Sequence, residues 1–227
     1  MLLITHATLI DGREHQRVLI DNGRFLAIAP DLPTPEGAEV IDAQGWLLSP
    51  PFVDAHFHMD ATLSLGLPRL NVSGTLLEGI ALWGELKPQL TQDALVERAL
   101  RYCDWAVAKG LLAIRSHVDV CDERLLAVEA LLHVRERVKP YLDLQLVAFP
   151  QDGVLRAPGA LANLKRALGM GVDVVGGIPH FERTMADGAE SVRILCELAA
   201  ERGLPVDMPC DESADPLSRH VETLALH

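Results

Sequence analysis

The segment PPFVDAHFHMD, residues 50–60, carries two histidines separated by one residue, His56 and His58, at the end of an apolar run. Side chains alternate between the two faces of a β-strand, so both imidazoles and Asp54 are predicted to project from one face. Two imidazoles this close can bind a single metal ion. Either histidine alone would be better explained as a hydrogen-bonded polar residue at a strand end, but the paired spacing favours a metal site.

These histidines must be positioned by the strand that carries them and by its neighbours. Between and after the predicted strands lie segments with helical periodicity, several of which end at a glycine suited to a C-terminal cap. Repeated strand–helix units of about thirty residues predict an α/β protein with a parallel sheet. Neither a glycine-rich dinucleotide motif nor a P-loop motif is present, so a barrel is favoured. The predicted strands are residues 52–58, 111–120, 143–150, 172–179 and 205–210, and the capping glycines are Gly110, Gly171 and Gly203.

Residues 1–49 have a different pattern. Asn22-Gly23 stands between two apolar segments and predicts a two-residue hairpin, because both turn positions tolerate positive φ. The double proline at residues 50 and 51 ends this region. We therefore predict a small N-terminal β module of the sandwich type over residues 1–49, followed by an α/β barrel domain over residues 50–227.

The composition excludes some classes of partner. The formal net charge is −12, whereas a surface that binds nucleic acid or an anionic membrane needs clustered Lys and Arg. A small-molecule substrate fits this charge better. The four cysteines form no C-x-x-C pair, which is typical of reduced thiols, and the sequence shows neither a leader pattern nor a membrane span. These features predict a cytoplasmic protein.

Six segments together resemble the bacterial cytosine deaminases of the metal-dependent amidohydrolase superfamily. H-x-H after a strand is moderately specific for the superfamily, whereas VAFPQDG and GIPHFE are similar to the cytosine deaminase branch. The resemblance implies a (β/α)8 TIM barrel, of which about five βα units are present. In chain order the segments are PPFVDAHFHMD, GTLLEGIALWGELK, IRSHVDV, LQLVAFPQDG, VVGGIPHFERT and CDESADPLSRHVETLA.

The resemblance also implies roles for individual residues. His56 and His58 match two metal ligands, and the implied cofactor is a divalent ion, Fe²⁺ or Zn²⁺. Gln151 matches the glutamine that hydrogen-bonds the amide edge of a pyrimidine. Glu212 matches the carboxylate that transfers a proton to the ring nitrogen and the leaving amine. From the residue types alone, Gln151 is equally well explained as a solvated residue after a strand. For Glu212, an exposed loop residue is the less favoured explanation.

The remaining histidines and Cys210 give weaker signals. His117 is expected either to line the pocket or to be a hydrogen-bonded core residue, and His180 has no assigned role. Cys210 is expected to pack as a buried thiol. Five histidines are expected to be exposed to solvent: His6, His15, His133, His220 and His227.

Position 209 departs from the pattern of the resembling family. The resemblance implies a third metal-binding histidine three residues before Glu212, where this sequence has Pro209, and proline offers no metal-binding side-chain atom. A further catalytic histidine and a metal-binding aspartate are implied for three later βα units, beyond His227. We therefore expect His56 and His58 to bind metal substoichiometrically. We also expect the printed chain to be inactive or incomplete, and to form homo-oligomers through unpaired sheet edges.

The leading hypothesis is a hydrolytic deaminase that converts an amino-substituted pyrimidine or related ring to its oxo form with release of ammonia. Gln151 favours cytosine, and isoguanine, 5-methylcytosine, creatinine and an amino-triazine stay open. One alternative is another H-x-H barrel metallohydrolase, such as a phosphoesterase or nuclease. The other is a non-catalytic truncated remnant or half-barrel that acts as an assembly partner. Pro209 favours this last alternative, whereas the retained Gln151 and Glu212 favour the enzyme.

Overall fold

Asn22 and Gly23 join two antiparallel strands in the computed structural model, which describes residues 1–227. Both turn residues have positive φ, 48° and 73°, so the predicted hairpin is confirmed. The hairpin belongs to a compact unit, Met1–Pro51, that contains one five-stranded sheet. Its strands are β1 (Leu2–Leu9), β2 (Gln16–Asp21), β3 (Arg24–Ala29), β4 (Glu39–Asp42) and β5 (Leu47–Leu48). The order is β3-β2-β1-β4, with β5 also paired to β1.

A second compact unit, Phe52–His227, is built on a parallel sheet. Its strands are β6 (Phe52–Phe57), β7 (Leu111–Asp119), β8 (Asp143–Phe149), β9 (Val174–Gly176) and β10 (Val206–Asp207). They pair in the order β10-β9-β8-β7-β6, so each strand lies beside the one that precedes it in sequence. The sheet curls into part of a barrel, which confirms the predicted α/β class and the TIM-barrel lineage.

Helices connect successive strands of this sheet, and one more helix follows the last strand. They are α1 (Leu76–Leu86), α2 (Gln92–Val107), α3 (Leu126–Val138), α4 (Ala160–Gly169), α5 (Met185–Arg202) and α6 (His220–Leu226). The three glycines predicted to end helices, Gly110, Gly171 and Gly203, all have positive φ, as C-terminal caps require. The sequence pattern did not single out α1 as a helix. Its start is nevertheless marked by an N-cap residue, Thr75, whose side chain accepts a hydrogen bond from the N–H of Glu78.

The first three strands of this sheet match their predicted ranges closely, but the last two are shorter. Residues 172–179 contribute only β9, and residues 205–210 contribute only β10. Proline explains part of this difference, because Pro179, Pro205 and Pro209 have no N–H to donate to the ladder. Segments that carry the cleft residues therefore leave the sheet early and continue as loops.

Aliphatic side chains form the core between this sheet and its helices. Val118, Leu146 and Val175 of the strands and Leu131 and Leu195 of the helices are all fully or almost fully buried. All four cysteines are free, as expected. No helix combines the length and the apolar character needed to cross a membrane. The core is therefore aliphatic, in keeping with a composition that contains only 4% aromatic residues.

The two ends of the parallel sheet are β6 and β10, each paired on one side only. Phe52 and Val53 of β6 are 67% and 66% exposed. An unpaired strand presents free N–H and C=O groups that can pair with another chain. This geometry supports the expectation that the 227-residue chain self-associates.

We predict that Val53→Lys reduces this self-association, because a charged side chain disfavours pairing at a strand edge. Sedimentation velocity should show species heavier than a monomer for the unsubstituted chain and a lower average mass for the variant. Val221→Lys, at a valine of similar exposure on α6, is the control and should leave the mass unchanged. A compact monomer that unfolds cooperatively above about 60 °C would contradict the prediction.

Candidate functional site

His56 and His58 lie at the C-terminal end of β6 and meet a third histidine, His117, from the adjacent strand β7. The ring centroid of His117 lies 4.3 Å from that of His56 and 5.3 Å from that of His58. One potential ligand atom from each of the three residues lies within 4.8 Å of the others. Phe57, between the two histidines in sequence, stacks instead on Tyr102 of α2 at 4.2 Å. The alternation predicted for the strand therefore holds at its end.

Asp54, predicted to share the face of the two histidines, is used differently. Its carboxylate accepts a hydrogen bond from the N–H of His56 at 3.2 Å. The pairing of β6 with β7 shifts register between Asp54 and Phe57, so the strand is irregular at this point. A bulge of this kind redirects side chains. Asp54 thus holds the backbone of His56 and does not line the cleft.

Burial keeps the imidazoles of His58 and His117 neutral. Desolvation by burial, and to a smaller extent the nearby His56, together lower the pKa of His58 to about 4. The pKa of His117 is lowered by the same two causes, burial first and then the neighbouring histidines. Neutral imidazole is the form that binds metal. His117 is fully buried, and neither of its ring nitrogens has a hydrogen-bond partner. The donor set and these orphaned nitrogens fit a divalent metal ion.

A cleft of about 300 Å³ opens beside these histidines. It is lined by the four residues that the sequence predicted for the site, His56, His58, Gln151 and Glu212, together with Pro209. Its apolar walls are formed by Leu76, Ile80, Phe149 and Ile178. Residues separated by more than 150 positions thus meet in one cleft, and their individual roles stay predictions.

The loop that carries Gln151 is fixed by a buried carboxylate. Gln151 follows β8, and its N–H donates to the carbonyl of Phe149 at 3.0 Å. Further along the loop, Glu182 accepts three backbone hydrogen bonds, from the N–H groups of Val154 (2.6 Å), Leu155 (3.0 Å) and Arg156 (2.8 Å). Glu182 belongs to the GIPHFE segment. The structure therefore gives that segment a positioning role that sequence reasoning did not find.

Asp211 organises the segment that carries Glu212. Its carboxylate accepts hydrogen bonds from the Ser218 hydroxyl and from the N–H groups of His220 and Val221. These bonds lower the pKa of the Asp211 carboxyl, although partial desolvation raises it. The loop after β10 is thereby tied to the first turn of α6, with Glu212 at the cleft.

His180 and His220 lie behind this segment, and one expectation about them was wrong. His220 was expected to be solvated, but it is only 2% exposed. It packs against Gly188 of α5, where a Cβ atom would lie 2.2 Å from the His220 ring. Both ring nitrogens of His180 are buried without a partner, and burial lowers its pKa against the opposing effect of Glu212 and Asp211. His220 is buried because tertiary packing places its ring against α5. The sequence around the start of α6 gives no sign of this contact.

A buried charge network underlies the cleft. Lys87 forms ion pairs with Asp119 (2.7 Å) and Asp152 (2.8 Å), and the indole N–H of Trp83 donates to Asp119 at 2.7 Å. Asp60, two residues after His58, accepts a hydrogen bond from the N–H of Asp119 at 2.9 Å. Burial raises the pKa of the Asp60 carboxyl to about 7. The network joins the end of β6, α1, the end of β7 and the Gln151 loop.

Sequence comparison assigns the chain to a family. A profile described as the amidohydrolase family matches residues 39–227, which is most of the sequence. The chain belongs to the amidohydrolase family. The resemblance seen in the sequence is thus confirmed, and the position of the histidine cluster at the carboxyl ends of parallel strands agrees with it.

Solved structures and curated relatives of this amidohydrolase show the same lineage. The chain is 41% identical to a 5-methylcytosine deaminase from Klebsiella pneumoniae solved with 5-fluorocytosine, with a TM-score of 0.94 over 99% of this chain and 55% of that one. It is 34% identical over 173 residues to an N-isopropylammelide isopropyl amidohydrolase from Pseudomonas sp. (strain ADP), covering 74% of this chain and 42% of that protein. The corresponding enzyme from Burkholderia multivorans superposes with a TM-score of 0.83 at 26% identity, covering 99% of this chain and 56% of that one. The chain therefore spans about half the length of these proteins.

We predict that Lys87→Met lowers the free energy of unfolding by about 3 kcal/mol, because removing one partner leaves Asp119 as an uncompensated buried charge. Urea unfolding followed by circular dichroism measures this change. Lys139→Met is the matched control, since the Lys139 side chain is 73% exposed, and it should change the value by less than about 0.5 kcal/mol. Equal effects of the two substitutions would show that the network does not hold the cleft together.

We also predict that Glu182→Gln lowers the free energy of unfolding by about 2 kcal/mol. A carboxamide has only one acceptor oxygen and carries no negative charge, so it cannot replace the carboxylate in all three backbone hydrogen bonds. Hydrogen exchange should show reduced protection at Val154, Leu155 and Arg156. Glu190→Gln, on the exposed face of α5, provides the control. Unchanged protection of the loop in Glu182→Gln would argue against the positioning role.

Proposed function

We propose that this amidohydrolase serves hydrolytic deamination of a cytosine-type ring, in which an amino-substituted ring and water give the oxo product and ammonia. The observation that carries the proposal is the cleft that gathers His56, His58, Gln151 and Glu212. These are the residue types that the reaction needs: imidazoles for a metal, a carboxamide for the ring edge and a carboxylate for proton transfer. The 41% identity to a 5-methylcytosine deaminase supports the same reaction class.

His56 and His58 would hold a divalent ion, Fe²⁺ or Zn²⁺. Such an ion, when bound, supplies Lewis acidity and lowers the pKa of a water molecule. His58 contributes a neutral imidazole, because burial lowers its pKa to about 4. His56 is more exposed and faces the cleft. The metal-binding histidines thus lie where a substrate ring would enter.

Gln151 would orient the ring. Its carboxamide offers one acceptor and two donor hydrogens, which complement the carbonyl and ring N–H of an amide edge. Its loop is anchored by the Glu182 carboxylate, so its position does not depend on the substrate. Phe149 and Ile178 provide apolar surface against which a flat ring can pack. The cleft volume of about 300 Å³ suits a single small ring.

Glu212 would transfer protons. It lines the same cleft as Gln151 and lies in a segment fixed by Asp211. A carboxylate at this position would take a proton from the attacking water and deliver it to the ring nitrogen, and would then transfer the second proton of that water to the departing amine, which leaves as ammonia. Cytosine and 5-methylcytosine are the favoured substrates, and isoguanine, creatinine and an amino-triazine are the next to test.

Pro209 favours a second candidate, in which the chain is a non-catalytic half-barrel that acts as an assembly partner. Pro209 lines the cleft beside the histidines but offers no ligand atom. The retained Gln151 and Glu212 favour the enzyme over this alternative. A cytoplasmic location and a small-molecule substrate, without nucleic acid or membrane as partner, belong to the same proposal.

Ammonia release tests the proposal. The chain is assayed with Fe²⁺ or Zn²⁺ on cytosine, 5-methylcytosine and isoguanine, alone and fused to the part of the Klebsiella pneumoniae enzyme that it does not span. We expect the fusion to deaminate at least one of these rings. Glu212→Gln should lower its rate by at least about a hundredfold, the usual contribution of a proton-transferring group. Gln151→Leu should chiefly raise KM.

Glu190→Gln serves as the control and should retain the full rate, because Glu190 lies on the exposed surface of α5. A folded, metal-containing fusion that releases no ammonia from any of these rings would refute the deaminase and favour the assembly partner. Circular dichroism of each variant confirms that it is folded.

A further inference from the structure

His117 lies beside the two histidines that the sequence predicted as metal ligands. It projects from β7, next to β6, and the Phe57–Ser116 pairing places it level with His58. Its side chain is fully buried, and both ring nitrogens lack a hydrogen-bond partner. Buried polar atoms without partners are rare in native proteins, and a metal ion bound by one of the two ring nitrogens is one explanation. His117 is therefore poorly explained as an ordinary hydrogen-bonded core residue.

The three imidazoles are close enough to bind one ion. Their ligand atoms lie within 4.8 Å of one another, and metal–nitrogen bonds of about 2.1 Å in a tetrahedral site separate two nitrogens by about 3.4 Å. Small rotations of the side chains close this difference. His56 is exposed to the cleft whereas His117 is fully buried, so a coordination position directed into the cleft would stay open. Three protein ligands and one open position are the usual composition of a catalytic zinc site.

Asp207 provides a further reason to expect a cation here. Its Oδ1 lies 3.5 Å from His117 Nε2, and its other oxygen accepts a hydrogen bond from Arg115. A carboxylate behind a metal-binding histidine orients the ring and increases its basicity. Asp207 is in β10, two residues before Pro209. The segment that has proline at position 209 thus still approaches the cluster, through the Asp207 carboxylate.

We propose that His56, His58 and His117 form a three-histidine site for a divalent transition metal, in which His117 supplies the ligand that Pro209 cannot. The inference rests on the proposed function only in that a deaminase of this kind uses a metal at the same place. It concerns coordination, so it can be tested without measuring turnover. It also reverses the expectation drawn from His56 and His58 alone, which was substoichiometric metal.

Zinc binding by the 227-residue chain tests the proposal. We expect one Zn²⁺ per chain to remain after gel filtration, and X-ray absorption at the zinc edge to indicate three imidazole ligands. His117→Asn should weaken zinc binding at least tenfold in equilibrium dialysis and leave two imidazole ligands. The tenfold bound is the usual loss of affinity when a residue that hydrogen-bonds a metal ligand is removed, and removing a ligand itself should cost at least as much. His133→Asn, on α3 and outside the cluster, is the matched control and should bind as tightly as the unsubstituted chain.

A second substitution guards against misfolding of His117→Asn. Adding Pro209→His to it should restore a third imidazole if the fold is intact, because position 209 lines the same cleft. Well under one Zn²⁺ per unsubstituted chain, two imidazoles in that chain, or unchanged affinity of a folded His117→Asn would each overturn the proposal. Three imidazoles without ammonia release in the fusion would instead refute the deaminase and leave this site standing.

Discussion

Strands β6, β7 and β8 run parallel and in consecutive order, so their carboxyl ends meet at one edge of the sheet. The cleft depends on this pairing. His56 lies near the end of β6 and His58 directly follows that strand. His117 projects from β7, and Gln151 follows β8. A shift of one residue in the register would turn His117 toward the helices and break the cluster, because side chains alternate along a strand. Backbone hydrogen bonding thus controls which side chains can act together.

Carboxylates hold the loops that complete the cleft. Glu182 accepts three backbone N–H groups of the Gln151 loop, and Asp211 accepts two backbone N–H groups and a hydroxyl around Glu212. Asp119 forms an ion pair with Lys87 and accepts a hydrogen bond from the indole N–H of Trp83. Hydrogen bonds to an ionised group are stronger than neutral ones, so a few such residues can order long segments without regular structure. Part of the acidic excess of this chain therefore has a structural use.

Pro209 shows that a chain can belong to the amidohydrolase family and still lack a metal-binding side chain at one position of the cleft. It shortens the last strand and removes a side chain able to bind metal, while the cleft around it is retained. A family match over most of the chain and 41% identity to a deaminase do not show which residues complete the coordination. His117 is fully buried and its ring nitrogens have no hydrogen-bond partner, so the coordination has to be assessed for the three histidines together.

Local pattern was enough to predict the Asn22-Gly23 hairpin, the glycine caps, the three long strands and the parallel sheet, because turn chemistry and periodicity act over a few residues. It also selected His56, His58, Gln151 and Glu212, through spacing and resemblance, and the structure brings these four together. What the tertiary structure alone decided involves contacts between distant residues. Four features join residues that are at least 30 positions apart or on different elements. They are the contact of Glu182 with the Gln151 loop, the ion pair of Lys87 with Asp119, the burial of His220 against α5, and the contact of His117 with His56 and His58. Such contacts leave no periodic signal, since they arise only when packing brings separate segments to one place.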